Sequence, residues 1–377
     1  MKLKMARRFL IYTMSCGDGH NMISRMLKKK FEAYHDDCEV IILDYYKDYW
    51  SPIRSFFAEK FYRFTTGHAH WFYSIYYKHY ETDAPPKRFL LGMWYAHLGK
   101  YKKILRTVEE FKPDLIIGSH IFISVALTNL KKQGKLDVPF NSIITDYTVY
   151  PLVEYGLGVE KIVTPCEELK DGLIKKGYRE EQIVCLGFPV RMNRPEERPN
   201  CGRKTLSVLI MAGPGRIKTI DRDIKNLLAA DLDIRVVVLN GKDGKHKRKI
   251  DRIIARSNHE RTVIENHGFV DDATYESILN GCDIMVSKCG ANTMSEAIMM
   301  GKVIITSPDL VGQELENLVY FRDRIPIFLI DKKKGIADIL RENTFDQDYL
   351  DNYWSLTDGM IPFDGFKRYV DLFYGSE

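Results

Sequence analysis

What this sequence lacks narrows its class before any motif is read. No uncharged apolar stretch approaches the roughly 18 residues that a membrane-spanning helix needs. The seven cysteines (Cys16, Cys38, Cys166, Cys185, Cys201, Cys282 and Cys289) are odd in number, scattered, and form no Cys-x-x-Cys pair. That argues against a disulfide scaffold and a structural zinc, and fits a reducing compartment. No internal repeat or low-complexity tract stands out. The net charge of +5 is a weak bias for a nucleic-acid binder. The start of the sequence is not expected to act as a signal peptide. Met1 to Arg8 mimics a charged leader, but the apolar stretch Phe9 to Met14 is too short and no small-residue cleavage site follows. The stretch is expected to be the first strand of a cytosolic protein.

What is present is ordinary globular chemistry, with 45% apolar and 28% charged residues in 377. A chain of this length is expected to form two domains of about 150–200 residues. Apolar strand patterns fall at Arg8–Thr13, Glu39–Leu43, Leu115–Ile117, Phe140–Ile144 and Lys161–Val163, with helical stretches between them. Such alternation predicts a parallel, doubly wound α/β sheet. The polar, proline-bearing run Arg194 to Asn200 reads as a linker. A second α/β series follows at Leu206–Met211, Ile234–Leu239, Val263–Glu265, Ile284–Val286, Val303–Thr306 and Ile327–Ile330. The expected domains are 1–195 and 196–345, with a helical, aromatic tail over 346–377.

Residues 283–317 say the most. A strand empties into the small-residue turn Gly290-Ala291, where a helix opens and carries Glu296 about one turn in. Unpaired N–H groups and the helix dipole make such a turn an anion site. A carboxylate inside that helix can accept hydrogen bonds from a ribose diol. Gln313 and Glu314, brought by the next strand, can grip sugar hydroxyls. An ordinary β-α-β unit with a solvated Glu296 has the same spacing, so the pattern alone leaves both readings open.

The residues Lys288-Cys289-Gly290-Ala291-Asn292-Thr293-Met294-Ser295-Glu296-Ala297, then Gly312-Gln313-Glu314 and Asn317, resemble one family's donor motif. That motif reads Lys-x-Gly-(Pro/Gly)-Gly-Thr-x-x-Glu-Ala, then Gly-Gln-Glu-x-x-Asn. It belongs to the monogalactosyldiacylglycerol synthase and processive diacylglycerol glucosyltransferase family, related to the peptidoglycan lipid-intermediate glycosyltransferase. Ser15-Cys16-Gly17-Asp18-Gly19-His20 resembles its N-terminal Gly-x-Gly-His loop, and Thr145-Asp146-Tyr147 its Thr-Asp-(Phe/Leu) triplet. Gly187-Phe188-Pro189-Val190-Arg191 and Gly268-Phe269-Val270 also follow in family order.

The resemblance implies a metal-independent enzyme of the GT-B type, two Rossmann-like domains facing a cleft, with a UDP-sugar as donor substrate and no cofactor. The tail over 346–377 would return to the N-terminal domain. Glu296 would hold the ribose, while Gly290, Ala291 and Asn292, with Thr293 beside them, would meet the diphosphate. Gln313 and Glu314, with Asn317, would read the sugar, and Phe269 with Val270 would flank uracil. His20 would be the general base, a role suited to a neutral imidazole at a helix start; a helix-capping histidine between glycines is the plainer alternative. Gly17, Gly19, His120, Asp146 and Tyr150 would lie on the acceptor side.

The chain departs from the family pattern in three places. The glycine-rich phosphate loop is reduced to Gly213-Pro214-Gly215-Arg216-Ile217-Lys218, where Pro214 donates no N–H. Arg216 and Lys218 can replace lost donors by charge pairing, or are ordinary exposed cations. His120 is followed by isoleucine where the family has His-Pro. Tyr150 stands at or near a position where the family has a histidine.

Residues 44–101 hold nineteen of the chain's 45 aromatics, among them Trp71, Phe72 and Tyr76, threaded with cations such as Arg63 and Lys78. Aromatics with Lys and Arg suit the headgroup level of an anionic bilayer; a helical core layer is the plainer alternative. A second basic run, Lys242 to Lys249, reads as a solvated face, with contact to an anionic membrane as the alternative. The expected protein is therefore a cytoplasmic hexosyltransferase bound peripherally to the inner face of the cell membrane. Its partners would be a UDP-hexose, a lipid acceptor (diacylglycerol or a glycosylated diacylglycerol) and an anionic membrane surface, with no nucleic acid. The alternatives are a non-lipid acceptor, a UDP-N-acetylglucosamine 2-epimerase, or a catalytically idle nucleotide-sugar-binding protein.

Overall fold

The computed structural model describes residues 7–15, 18–45, 47–49, 101–199, 202, 205–213, 217–310 and 312–375. The expected phosphate-loop residues Gly215 and Arg216, the acceptor-side Gly17, and most of the aromatic stretch, Trp71, Phe72 and Tyr76 included, lie outside the described residues. The chain divides into two units: residues 1–191 with 364–377, and residues 192–363.

The first unit is built on β1 (Arg7–Thr13), α1 (Asp18–Tyr34), β2 (Cys38–Asp44), α2 (Tyr101–Phe111), β3 (Leu115–Gly118), α3 (Ile121–Lys132), β4 (Phe140–Ile143), β5 (Ile162–Thr164), α4 (Leu169–Lys175) and β6 (Ile183–Cys185). All six strands are parallel, in the order β2-β1-β3-β4-β5-β6. Parallel strands are covered on both faces, so they read as continuous apolar runs; Leu115, Ile116 and Ile117 are all buried. Helix α1 lays Ile23, Leu27 and Phe31, each one turn apart, on the sheet, and Phe31 stacks on Phe9. Strand β6 was not among the expected strands. Its three residues are only half-buried, and so short a run carries little pattern.

The second unit runs β7 (Leu206–Met211), α5 (Ile220–Ala230), β8 (Ile234–Leu239), α6 (Gly244–Ala255), β9 (Thr262–His267), α7 (Asp272–Asn280), β10 (Ile284–Val286), α8 (Ala291–Met299), β11 (Val303–Thr306), α9 (Gln313–Arg322), β12 (Ile327–Leu329), α10 (Ile336–Glu342) and α11 (Gln347–Leu356). Its parallel sheet has the order β12-β11-β10-β7-β8-β9, a doubly wound arrangement.

The tail behaves differently from the expected single segment over 346–377. Helix α11 is part of the second unit, and only the chain from Asp364 belongs to the first. There α12 (Gly365–Gly375) buries Phe366, Tyr369, Val370 and Phe373 at helical spacing. Tyr369 donates to the Gly187 carbonyl at 2.9 Å. A Cβ on Gly365 would sit 3.0 Å from the Pro189 Cα, so glycine permits this close approach. Two residues counted with the aromatic stretch are also core. Tyr45 and Tyr49 are 3% exposed, and the Tyr49 hydroxyl lies 2.7 Å from that of Tyr12.

Candidate functional site

Each sheet reverses its strand order once, and a reversal opens a crevice beyond the carboxyl ends of the two flanking strands. In the first unit those strands are β1 and β3. The chain leaving β1 enters α1, whose third residue is His20; the chain leaving β3 carries Ser119 and His120 to the start of α3. The two imidazoles therefore meet edge to face, with ring centroids 4.8 Å apart. Gly19 is partly exposed in the same first turn of α1.

The hydrogen bonds settle the tautomers. His20 Nδ1 lies 2.6 Å from the Ser119 carbonyl oxygen. A carbonyl only accepts, so Nδ1 carries the proton and Nε2 keeps a free lone pair. His120 has the opposite form. Its Nδ1 accepts from the Phe122 N–H at 3.2 Å as the N-cap of α3, which puts its proton on Nε2. Burial pushes the His20 pKa down to about 4, against an upward pull from the Ser119 carbonyl. Burial, then the neighbouring His20, hold His120 well below its ordinary value. The leading cause is desolvation. Both rings are neutral at pH 7, and the crevice offers one basic nitrogen beside one N–H donor. A capping imidazole does stand in the cluster, but it is His120, at the start of α3.

Asp146 and Tyr150 join the same cluster. The Tyr150 hydroxyl donates to Asp146 Oδ2 at 2.5 Å. Thr145 Oγ1 lies 2.9 Å from that hydroxyl and 3.1 Å from His20 Nδ1. Ser119 is a small polar residue with no spacing signal of its own, and Thr145 stands in the Thr-Asp-Tyr triplet without a stated role; the fold shows their part.

In the second unit the reversal lies between β7 and β10. Beyond β7, a Cβ on Gly213 would sit 3.3 Å from the Asn240 carbonyl, so the chain passes close to the end of β8. Lys218 is exposed just before α5. Beyond β10 the chain turns at Gly290 into α8. Gly290 is the N-cap and offers no side-chain hydrogen bond, and a Cβ there would meet nothing within 4 Å. The positive end of α8 thus faces open space, with Ala291 buried and Asn292 and Thr293 half-buried beside it. The Asn292 Oδ1 has no hydrogen-bond partner. At the far end of α8, Arg194 donates to the Ile298 and Met299 carbonyls at 3.3 and 3.1 Å, satisfying acceptors that the helix leaves open.

Glu296 is 2% exposed, and its Oε2 accepts from the Tyr275 hydroxyl at 2.9 Å. Gln313 and Glu314 open α9 behind Gly312, whose φ of 58° and ψ of −134° suit glycine alone. Burial raises the Glu314 pKa, opposed by Lys288, whose Nζ lies 3.3 Å from Oε2. Lys288 therefore stands within reach of the same crevice. Asn317 is fully buried and donates to the Cys289 carbonyl at 3.0 Å, so it braces the turn before α8 from within. Phe269 is 68% exposed under the Lys242 ammonium, 5.3 Å from the ring centroid, and Val270 is half-buried.

The basic run at α6 is not uniformly solvated as expected. His246 is buried, with Nδ1 2.7 Å from Asn240 Oδ1 and Nε2 2.5 Å from Asp221 Oδ1. The helical period turns it inward while its neighbours face out. Among the described residues no group of three or more His, Cys, Asp or Glu side chains is placed to hold a metal ion, and no helix is long and apolar enough to cross a membrane.

Comparison with known proteins follows the same lines. Residues 20–190 match the family model described as monogalactosyldiacylglycerol (MGDG) synthase. The chain is 24% identical over 349 residues to a processive diacylglycerol beta-glucosyltransferase of Bacillus cereus (strain G9842), covering 89% of this chain and 83% of that protein. MurG of Acinetobacter baumannii shares the fold with a TM-score of 0.64 at 13% identity, over 98% of this chain and 100% of that one. So does a UDP-GlcNAc 2-epimerase from Neisseria meningitidis bound to UDP-GlcNAc, with a TM-score of 0.57 at 10% identity, over 98% and 100%. The family model, relatives aligned over most of their length and the fold together support placing this chain, at family level, with the GT-B glycosyltransferases related to the processive diacylglycerol glucosyltransferases and MGDG synthases.

Proposed function

We propose that this protein transfers a hexose from a UDP-sugar to a hydroxyl of a lipid acceptor, diacylglycerol or a glycosylated diacylglycerol, without a metal ion. The observation that carries the reading is the tautomer of His20: a neutral ring with a proton-free Nε2 beside an N–H donor on His120. The acceptor hydroxyl gives its proton to Nε2 while its oxygen bonds to the sugar's anomeric carbon. The bond from that carbon to the diphosphate breaks, and its electron pair leaves on the phosphate oxygen. The open start of α8, together with Lys288 once it leaves Glu314, meets that charge. Glu296 takes the ribose hydroxyls, and Gln313 and Glu314 the sugar's. The imidazolium of His20 then returns its proton to solvent.

The donor side is supported by the uncapped helix and the gap-free motif, the lipid side by the relatives' acceptor and the aromatic, cationic stretch 44–101. The test is to offer UDP-glucose, UDP-galactose and UDP-N-acetylglucosamine with diacylglycerol vesicles and resolve the products by mass. A hexosyl-diacylglycerol is the expected product. Transfer to a water-soluble acceptor only would overturn the lipid half, an epimerised UDP-sugar the transfer itself, and UDP binding without turnover would mean an idle binding protein. The membrane arm has its own readout. Anionic vesicles should bind the protein better than neutral ones and salt should weaken this, since each Lys or Arg at such a surface contributes about 1 kcal/mol. Changing Trp71, Phe72 and Tyr76 together to Ser should remove the salt-resistant part of the binding.

A further inference from the structure

We propose that Thr145, Tyr150 and Asp146 form a one-way hydrogen-bond chain that positions His20 and holds it in its base-competent tautomer. This inference rests on His20 acting as the base. The direction of the chain follows from what each group can give. The Asp146 carboxylate accepts, so the Tyr150 hydroxyl spends its only proton on it, at 2.5 Å. The Tyr150 oxygen then receives from Thr145, whose hydroxyl lies 2.9 Å away and has only one proton to give. Toward His20, 3.1 Å off, Thr145 is left only a lone pair. His20 Nδ1 must therefore be the donor, the form that the Ser119 carbonyl requires independently.

Two unrelated acceptors thus converge on one proton, and both leave Nε2 bare. Thr145 and Tyr150 are about 6% exposed, so little water competes for these bonds. The segment is also stiff. Tyr147 stacks on Phe188 at 5.7 Å, and Thr145 and Asp146 follow the buried Ile144 just beyond β4. When Nε2 takes the acceptor's proton, the ring becomes an imidazolium whose Nδ1–H already points down a chain ending in a carboxylate. No proton moves along the chain. Its three protons stay on Nδ1, Thr145 and Tyr150, and the carboxylate's charge is felt through aligned hydroxyl dipoles. Tyr150 stands near a position where the related family has a histidine, and a phenol fits this chain because it both accepts from Thr145 and donates to Asp146.

The experiment compares Tyr150→Phe, Thr145→Val and Thr145→Ser with wild type in two readouts on folded protein. In transfer assays Tyr150→Phe and Thr145→Val should lower kcat roughly tenfold, a part of the 10²–10⁴ that a general base supplies. KM for the UDP-sugar should change less than twofold, and Thr145→Ser should restore kcat. Nitrogen-15 NMR of the His20 ring at pH 7 needs no turnover. Wild type should show the proton on Nδ1. In Tyr150→Phe the hydroxyl of Thr145 is released to donate, and a second population protonated on Nε2 should appear. An unchanged ring spectrum and unchanged kcat in Tyr150→Phe would overturn the proposal. A wild type that shows the Nδ1–H ring but transfers no sugar would count against the catalytic reading of His20 while leaving the chain itself in place.

Discussion

The crevice between β1 and β3 and the crevice between β7 and β10 arise from the same strand reversal, and they are furnished with opposite chemistry. The first holds two neutral imidazoles and a file of hydroxyls ending on Asp146. The second holds the bare start of a helix, a buried carboxylate on Glu296 and the Lys288–Glu314 pair. Fixed dipoles and charges recognise a ligand that is already anionic. An imidazole acting as general base at pH 7 must be neutral, and burial keeps both rings so. On the proposed reading, one topology supports a reacting site and a binding site, and the side chains on the loops decide which is which.

That division can be broken from either side. The largest expected effect is in the first crevice: His20→Ala should cut turnover about 10²–10⁴-fold, the usual worth of a general base. Initial rates of transfer check it, and a rate near wild type would leave the imidazole with no chemical part. Next comes the second crevice. Glu296→Ala removes hydrogen bonds to a charged group worth roughly 1.5–3 kcal/mol, so UDP should bind about ten- to a hundredfold more weakly by calorimetry.

A smaller effect lies behind Gln313 and Glu314, the residues proposed to read the sugar. Gly312→Ala forces a side chain into a φ of 58° and should cost about 1–2 kcal/mol, read as a drop in thermal midpoint. The smallest concerns pH. The His20 pKa lies below its ordinary 6.5, at about 4, because burial disfavours the charged ring. The unfolded chain therefore binds this proton first. The stability His20 contributes is whole above about pH 6.5 and is lost as pH falls through about 4. The acid limb of kcat/KM should accordingly sit near pH 4, and activity should change little between pH 7 and 5. A limb near 6.5 would mean an open, ordinary imidazole.

The second crevice was far more legible in sequence than the first. Its pieces, Gly290 to Glu296 and Gly312 to Glu314, lie within one β-α-β stretch, so chain order mirrors space, and the strand pattern there is long and apolar. Even so, the motif did not tell a ligand-facing residue from a bracing one. Asn317 stands in the motif but turns inward to the Cys289 carbonyl, while Tyr275, which holds Glu296, comes from α7 and has no motif. The first crevice is assembled from positions 20, 119, 120, 145 and 150, gathered only when β1, β3 and β4 pair. A Gly-x-Gly-His pointed to His20, yet nothing in the residue order said that its Nδ1 would be claimed by Ser119. His246 shows the same limit in reverse, since a run of cations concealed one inward-facing ring.

The most direct test crosses the two crevices. UDP affinity should be measured by titration calorimetry on folded His20→Ala and Glu296→Ala proteins beside wild type. The account predicts that His20→Ala binds UDP as wild type does while its turnover collapses, and that Glu296→Ala loses affinity. Equal loss of UDP affinity in both variants, or in neither, would contradict the division of binding and chemistry between the two units.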